Sequence, residues 1–336
     1  HVTRHRIFGA GLVGGYIAGV LASSDRDVSA VAREEVINRL ERGLTLTDLD
    51  GNRAETAGPV FLRPGEAAAG PPPDVLWLTV KCTDVARAIP DLPPHVGPGT
   101  VILCCQNGLG SEATLKAAFP GHVVLRGMVP FNVAQPEDNH LHRGSGGALT
   151  LEAHPRIRDL PLEIRSPLMP MALSDDIEAV LWAKLQLNLV NAVNALSDIP
   201  VREMLERRGY RRVFSACMRE LLAVTRKRGI ELPRLTALPP RWLPRLLEQP
   251  DWIFARIAKP MLEVDPTVRT SMWWDITRGK PTEVDFLNGE VVAAGERAGV
   301  PTPVNARIME LVKAAERSGA SPSLTPDELL DAAVMS

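Results

Sequence analysis

The most constraining feature of this chain is a glycine turn near its start, Gly9-Ala10-Gly11-Leu12-Val13-Gly14. It follows a short apolar strand over residues 6–9 and opens a helix over 12–23. A strand, a glycine turn and a helix in that order make a cradle for phosphate. Gly9 permits the tight turn, Gly11 lets the backbone approach a pyrophosphate, and Gly14 lets the helix pack closely on the strand. Free N–H groups and the positive dipole end of the helix then meet the anion. Gly9, Ala10, Gly11, Leu12, Val13 and Gly14 are therefore the candidate cofactor-binding segment, and the cofactor class is a dinucleotide.

The flanking pattern supports this. Residues 28–32 read as a second strand and 34–42 as a helix, while 44–48 and 53–61 flank the hairpin signal Asp50-Gly51. Residues 75–80, 100–105 and 123–129 are apolar strands, a helix begins at Ser111, and 162–165 is strand-like. Such alternation predicts a parallel sheet covered on both faces. Beyond about Asp175 strand signals nearly vanish, and 176–195, 201–228, 242–258 and 285–298 read as helices. The expected fold class is α/β: an N-terminal Rossmann-type dinucleotide-binding domain over 3–172, an all-α domain over 173–320, and a loosely held tail over 321–336. The 336 residues are more than one core usually serves.

Composition narrows the partners. A net charge of −2 gives no field favouring nucleic acid or an anionic membrane, and no run approaches the roughly 18 apolar residues of a spanning helix. The apolar stretch 7–21 is broken by five glycines and reads as a turn rather than a leader. Cys82, Cys104, Cys105 and Cys217 show no C-x-x-C spacing, which speaks against a metal site or a disulfide framework and for reduced cytoplasmic thiols. A small-molecule substrate is expected.

The tip of the second strand separates NAD from NADP: an acid there binds the ribose 2′-hydroxyl, an arginine accommodates a 2′-phosphate. Arg33 stands at that tip and points to NADP(H), although Glu34 and Glu35 follow at once and leave NAD open. Lys81 follows the strand 75–80, and Asn107, within Gln106-Asn107-Gly108, follows the strand 100–105. Ligands of open α/β sheets bind beyond the carboxyl ends of the strands, so Lys81 and Asn107 are expected at the nicotinamide end.

In the second half, residues 179–194 are apolar almost all round, yet Lys184, Asn188 and Asn191 recur at i, i+4 and i+7, with Asn194 nearby. Burying such groups without partners is costly. The stripe therefore faces a polar ligand, or forms an internal hydrogen-bonded seam or a dimer contact. A second cluster runs from Ser271-Met272-Trp273-Trp274 to Thr282-Glu283-Val284-Asp285. Taken alone, Glu283 reads as a first-turn acid complementing a helix dipole.

Together these segments resemble the ketopantoate reductase family over roughly residues 5–315. The resemblance rests on the glycine turn, Arg33, Val80-Lys81, Gln106-Asn107-Gly108, Leu181-Trp182-Ala183-Lys184-Leu185 with Asn188, and Ser271 followed twelve positions later by Glu283. It implies NADPH as reductant of a 2-oxo acid, first of all ketopantoate, an all-helical second domain, closure between the two, and a homodimer. It implies Lys184 as proton donor, Asn188 and either Asn191 or Asn194 on the substrate, and Ser271 on the substrate carboxylate or hydroxyl. Glu283 is implied near the nicotinamide ribose and Lys184, and Lys81 and Asn107 on cofactor and substrate. Residues 128–134 and the bulky Met272-Trp273-Trp274 after Ser271 depart from the family and are expected to reshape the pocket. Three other readings stand beside it. One is a reductase of the same family with a different keto substrate, and one is a non-catalytic NADP-binding sensor. The third is an opine- or hydroxy-acid-type dehydrogenase, which would need a histidine that the helical half lacks.

Overall fold

The computed structural model describes residues 1–66 and 70–335, in two compact units, His1–Glu178 and Ala179–Ser336. No helix of the described residues is long and apolar enough to cross a membrane.

The first unit begins β1 (Arg4–Phe8), α1 (Leu12–Ser23), β2 (Asp27–Val31), α2 (Glu34–Leu40), β3 (Leu44–Asp48), β4 (Arg53–Thr56) and β5 (Val60–Leu62). It continues with β6 (Val75–Leu78), α3 (Val85–Ala88), β7 (Val101–Cys104), α4 (Ser111–Ala118) and β8 (Val124–Met128). It ends with β9 (Val133–Glu137), β10 (His140–Arg143), β11 (Leu149–Glu152), α5 (Leu160–Glu163) and β12 (Met171–Ser174). The main sheet has the order β12-β11-β8-β7-β6-β1-β2-β5, and a smaller one the order β4-β3-β10-β9. From β5 through β8 the main sheet is parallel, and β11 joins it antiparallel to β8. The chain leaves β1 toward β2 and returns on the other side at β6. This reversal is the switch point at which doubly wound sheets open a crevice.

Period-two alternation divides the strands between two cores. Ile7, Trp77 and Leu103 join one, while Phe8, Leu76, Leu78 and Ile102 join the other. Strands buried on both faces read as unbroken apolar runs for that reason. Helix α1 is apolar all round because it packs on β1 and β2 of the main sheet and on β3, β4, β9 and β10 of the small sheet. Gly19 lets Leu46 of β3 come close, since a Cβ there would lie 2.9 Å from its Cδ2. A buried ion pair pins the small sheet: Arg143 Nη2 lies 3.1 Å from Asp48 Oδ2, and the guanidinium also donates to the carbonyls of Leu168 and Ser145. Burial alone would push the Asp48 carboxyl up. Hydrogen bonds from the Asn52 side chain and the Asn52 and Asp50 backbone, with the charge of Arg143, hold it below the usual range.

The second unit is helical. It contains α6 (Ile177–Asn188), α7 (Val190–Ser197), α8 (Val201–Glu206), α9 (Arg208–Lys227), α10 (Leu243–Leu247) and α11 (Asp251–Ile257). These are followed by α12 (Lys259–Leu262), α13 (Ser271–Thr277), α14 (Asn288–Ala298), α15 (Pro303–Ser318) and α16 (Pro326–Ala333). Helix α9 packs against α7, α8, α10, α14, α15 and α16. Its buried Arg211 donates to the carbonyls of Leu205, Leu247 and Gln249 and lies 4.2 Å over the ring of Phe254.

Several elements differ from the expectations. The strand expected over 53–61 is two strands: the chain turns at Gly58, with φ +87°, and β5 leaves the hairpin to join β2. Residues 160–163 are helix α5, and the strand lies later, in β12. The first unit thus extends past residue 172, through Glu178. The helix expected over 176–195 is interrupted at Leu189, and the one over 242–258 by Pro250, a residue that disfavours helix before it. Ser271 and the bulky residues after it form a helix, α13. The tail is not loose. Thr325 and Glu328 form a capping box, and Leu329 and Leu330 are buried where α16 meets α9.

Candidate active site

The glycine turn is closed beneath and open above. A Cβ on Gly9, where φ is +94°, would lie 2.5 Å from Val80 Cγ1, and one on Gly14 would lie 2.6 Å from the Gly9 carbonyl oxygen. The Thr79 hydroxyl donates to that same oxygen at 2.8 Å, and the N–H groups of Gly9 and Ala10 donate to the Val31 carbonyl. The turn is thereby fixed to both neighbours of β1. A Cβ on Gly11, by contrast, would meet nothing within 4 Å, and Leu12 beside it is 43% exposed. Helix α1 starts there with no side-chain cap, which leaves its N–H groups for an anion. Ala10 is buried and Val13 half-buried.

Arg33 is the exposed residue before α2 and has no ion-pair partner among the described residues. Glu34 is engaged from the side by Arg63, which follows β5. That hydrogen-bonded arginine holds the Glu34 carboxyl below its usual range. Lys81 is exposed where a 3-10 turn follows β6, and Asn107 is exposed beyond β7. Gln106 fastens these two strand ends together: its Nε2 donates to the Leu78 carbonyl at 2.8 Å and to that of Val80 at 3.1 Å. Its Oε1 is buried with no hydrogen-bond partner among the described residues. In the sequence Gln106 stands only as part of the Gln106-Asn107-Gly108 motif. Its amide bonds reach 26 and 28 residues back along the chain, and no local pattern signals them.

The expected reshaping by residues 128–134 does not extend to Met128 and Phe131. Both are core residues, and Phe131 meets Tyr16 edge-on at 5.7 Å.

In the helical unit Lys184 and Asn188 lie one turn apart on α6. Burial holds the Lys184 ammonium below the ordinary lysine value. The Asn188 Nδ2 is buried and has no hydrogen-bond partner among the described residues. Asn191 is half-buried, and its carbonyl accepts the Thr270 hydroxyl at 3.2 Å. Asn194 serves a different purpose from the expected one. It is wholly buried, its Oδ1 accepts the Thr270 N–H at 2.9 Å, and its Nδ2 donates to the Ile199 carbonyl at 2.7 Å. Both amide ends are used internally, which leaves Asn188 and Asn191 as the candidate substrate ligands of this stripe. It fixes Thr270, directly before the exposed Ser271 at the start of α13.

Ser271 is thus brought beside the asparagines of α7. Trp273 packs rather than dangles, with Nε1 donating to Asp198 at 2.7 Å and Arg269 4.2 Å over its ring. Glu283 is buried at the head of a short 3-10 turn, where its carbonyl accepts the N–H groups of Phe286 and Leu287.

The halves of the chain match known proteins in the same order. Residues 6–156 match the family Ketopantoate reductase PanE/ApbA, and residues 176–316 match its C-terminal domain. The 2-dehydropantoate 2-reductase of Archaeoglobus fulgidus is 27% identical over 321 residues, covering 94% of this chain and 98% of that one. The ketopantoate reductase structure from Ralstonia eutropha JMP134 is 27% identical with a TM-score of 0.77, covering 94% of this chain and 99% of that one. A D-mandelate dehydrogenase solved with NADH and anilino(oxo)acetate shares the fold at 20% identity and a TM-score of 0.76, with 94% and 99% covered. Two family matches, in order and across most of the sequence, place this oxidoreductase chain in the ketopantoate reductase PanE/ApbA family.

Proposed function

We propose that the protein reduces a 2-oxo acid to the 2-hydroxy acid with NADPH, and that ketopantoate is the first substrate to test. The observation that carries this reading is the α6 face on which a half-buried Lys184, its pKa lowered by desolvation, stands one turn from an orphaned Asn188 amide donor. A substrate oxygen would satisfy that donor. The open Gly11–Leu12 edge of α1 suits the dinucleotide pyrophosphate, Arg33 suits a 2′-phosphate, and Lys81, Asn107 and Glu283 are assigned to the nicotinamide end. The bound nicotinamide supplies hydride to the ketone carbon.

The residues of the chain do the rest. Lys184 holds a proton at Nζ and passes it to the oxygen that gains charge, so hydride at carbon and proton at oxygen complete the alcohol. The same cation stabilises the developing alkoxide. Asn188 and Asn191 orient the 2-oxo acid, and the Ser271 hydroxyl donates to its carboxylate. Depression of the lysine pKa brings the donor closer to neutral pH, where general acids work best. The proposed assembly is a homodimer. The exposed apolar side chains Trp252 and Ile257 on α11 and Met261 on α12 are the candidates for its contact surface.

The test is turnover of a panel of 2-oxo acids with NADPH and with NADH, with mass measured in solution alongside. Ketopantoate turned over fastest with NADPH is expected. Faster turnover of another 2-oxo acid replaces the substrate, and a Lys184→Ala variant with wild-type turnover removes the mechanism.

A further inference from the structure

The parallel strands β2 and β5 lie side by side at the edge of the main sheet, with Val31 opposite Leu62. The Ala32 N–H donates to the Leu62 carbonyl, so the two chains leave the carboxyl edge together. Arg33 and Glu34 follow on one and Arg63 on the other. Arg63 grips Glu34 with two guanidinium nitrogens, Nε at 2.5 Å from Oε2 and Nη2 at 3.1 Å from Oε1. Glu66 steadies Arg63 in turn: its carboxylate accepts the Arg63 N–H at 2.9 Å and lies 3.6 Å from Nη1.

A carboxylate at the tip of the second strand is the group that reads a ribose 2′-hydroxyl, and it repels a 2′-phosphate. Here it sits one residue past the arginine that would attract that phosphate. Each of its oxygens accepts from Arg63, which occupies one lone pair on each, turns them away from a ribose diol in geometry and offsets their charge. All of these groups are exposed, so the pair adds little to folding.

We infer that Arg63 is a specificity-determining residue of the cofactor site, acting as a counter-charge that silences Glu34 and leaves Arg33 to set the preference for a 2′-phosphorylated dinucleotide. This rests on the NADPH reading given above. Arg63 is a positioning residue: it acts through Glu34 and is not itself a phosphate ligand.

The experiment measures dissociation constants for NADPH and NADH by calorimetry, which needs no keto acid, in wild type, Arg63→Ala, Glu34→Ala and the double variant. Arg63→Ala is expected to lower the NADPH-over-NADH preference by about tenfold, the scale of one uncompensated charge beside a phosphate at the surface. The double variant is expected to regain the wild-type preference, with melting temperature unchanged throughout. An unchanged preference in Arg63→Ala overturns the inference. So does a double variant as weak for NADPH as the single one, which would make Arg63 a direct ligand. The underlying reading fails separately if Arg33→Ala leaves the preference unchanged, and a wild type that prefers NADH overturns both.

Discussion

Gly11 and Gly14 belong to one turn, yet their surroundings predict that a single methyl group does different damage at each. At Gly14 the added Cβ would sit 2.4 Å from Thr79 Oγ1 and 2.6 Å from the Gly9 carbonyl oxygen. The threonine can rotate, but the carbonyl is backbone and must retreat by roughly 0.8 Å to reach ordinary contact. Overpacking of this kind costs about 1–3 kcal/mol, and replacing glycine by alanine inside a helix returns about 1 kcal/mol. The net loss for Gly14→Ala is about 1 kcal/mol, or roughly 2–4 °C in the melting temperature of a unit this size. Cofactor binding should weaken as well, because the displaced carbonyl belongs to the turn itself. At Gly11 the methyl meets empty space, and φ is negative, at −78°. Gly11→Ala should leave the melting temperature within about 1 °C of wild type. It should still weaken NADPH binding by at least about tenfold, because the methyl fills the approach of the pyrophosphate. Thermal scanning with and without NADPH, and calorimetric titration, check both variants. Wild-type NADPH affinity in Gly11→Ala would refute the assignment of that open edge to the cofactor. An unperturbed melting temperature in Gly14→Ala would refute the packing argument.

Lys184→Met should cut turnover by about 10²–10⁴-fold while leaving NADPH affinity unchanged, as stopped-flow and titration would show. In wild type the rate should fall as pH rises through a Lys184 pKa lying below the ordinary lysine range, because the donor must be protonated. Between that lowered value and the ordinary one the unfolded chain binds the extra proton, so stability rises with pH in that window. Urea denaturation at several pH values should show this rise in wild type and its loss in Lys184→Met. Asp48→Asn or Arg143→Met, by stranding one charge of a buried pair, should each cost about 3–5 kcal/mol in the same assay. The depressed Asp48 pKa contributes stability that is present above the ordinary aspartate value and is lost as pH falls through the lowered one. Asn194→Ala strands the Thr270 N–H and the Ile199 carbonyl, at about 1–3 kcal/mol each. It should raise KM for the 2-oxo acid more than for NADPH, and Asn194→Asp, which keeps the acceptor, should recover part of that rise.

The parts legible in the sequence are those whose physics is local. The glycine turn, the apolar strands of the main sheet and the α6 stripe announce themselves within a few residues, because backbone conformation and periodic burial act over that range. Helix α1 could be bounded at Leu12 and Ser23 from glycines and apolar spacing alone. The small sheet was harder. Strands β9 and β10 are half polar, and the pairing of β10 with β3 carries the ion pair of Asp48 and Arg143, 95 residues apart. The asparagines of the helical unit show the same limit. Spacing put Asn188, Asn191 and Asn194 near one face, but only the Thr270 backbone, brought in from 76 residues away, reveals that Asn194 is consumed. Gln106 and Arg63 likewise gain their meaning from partners that no window of sequence contains.

All four cysteines are buried and unbridged. Burial pushes the Cys104 and Cys217 thiols up, and that of Cys105 to about 12. A thiol must ionise to react, so these are poor nucleophiles and resist maleimides in the folded protein. These three thiols are therefore a quiet background for labelling, and Cys82 is shielded by its burial. One exposed substitution in each unit, such as Glu41→Cys and Glu231→Cys, would add the two readily reactive thiols, and a dye pair on them becomes a ruler. Read while NADPH and a 2-oxo acid are added in turn, that ruler would report whether the distance between the two labels changes, without first removing a native residue.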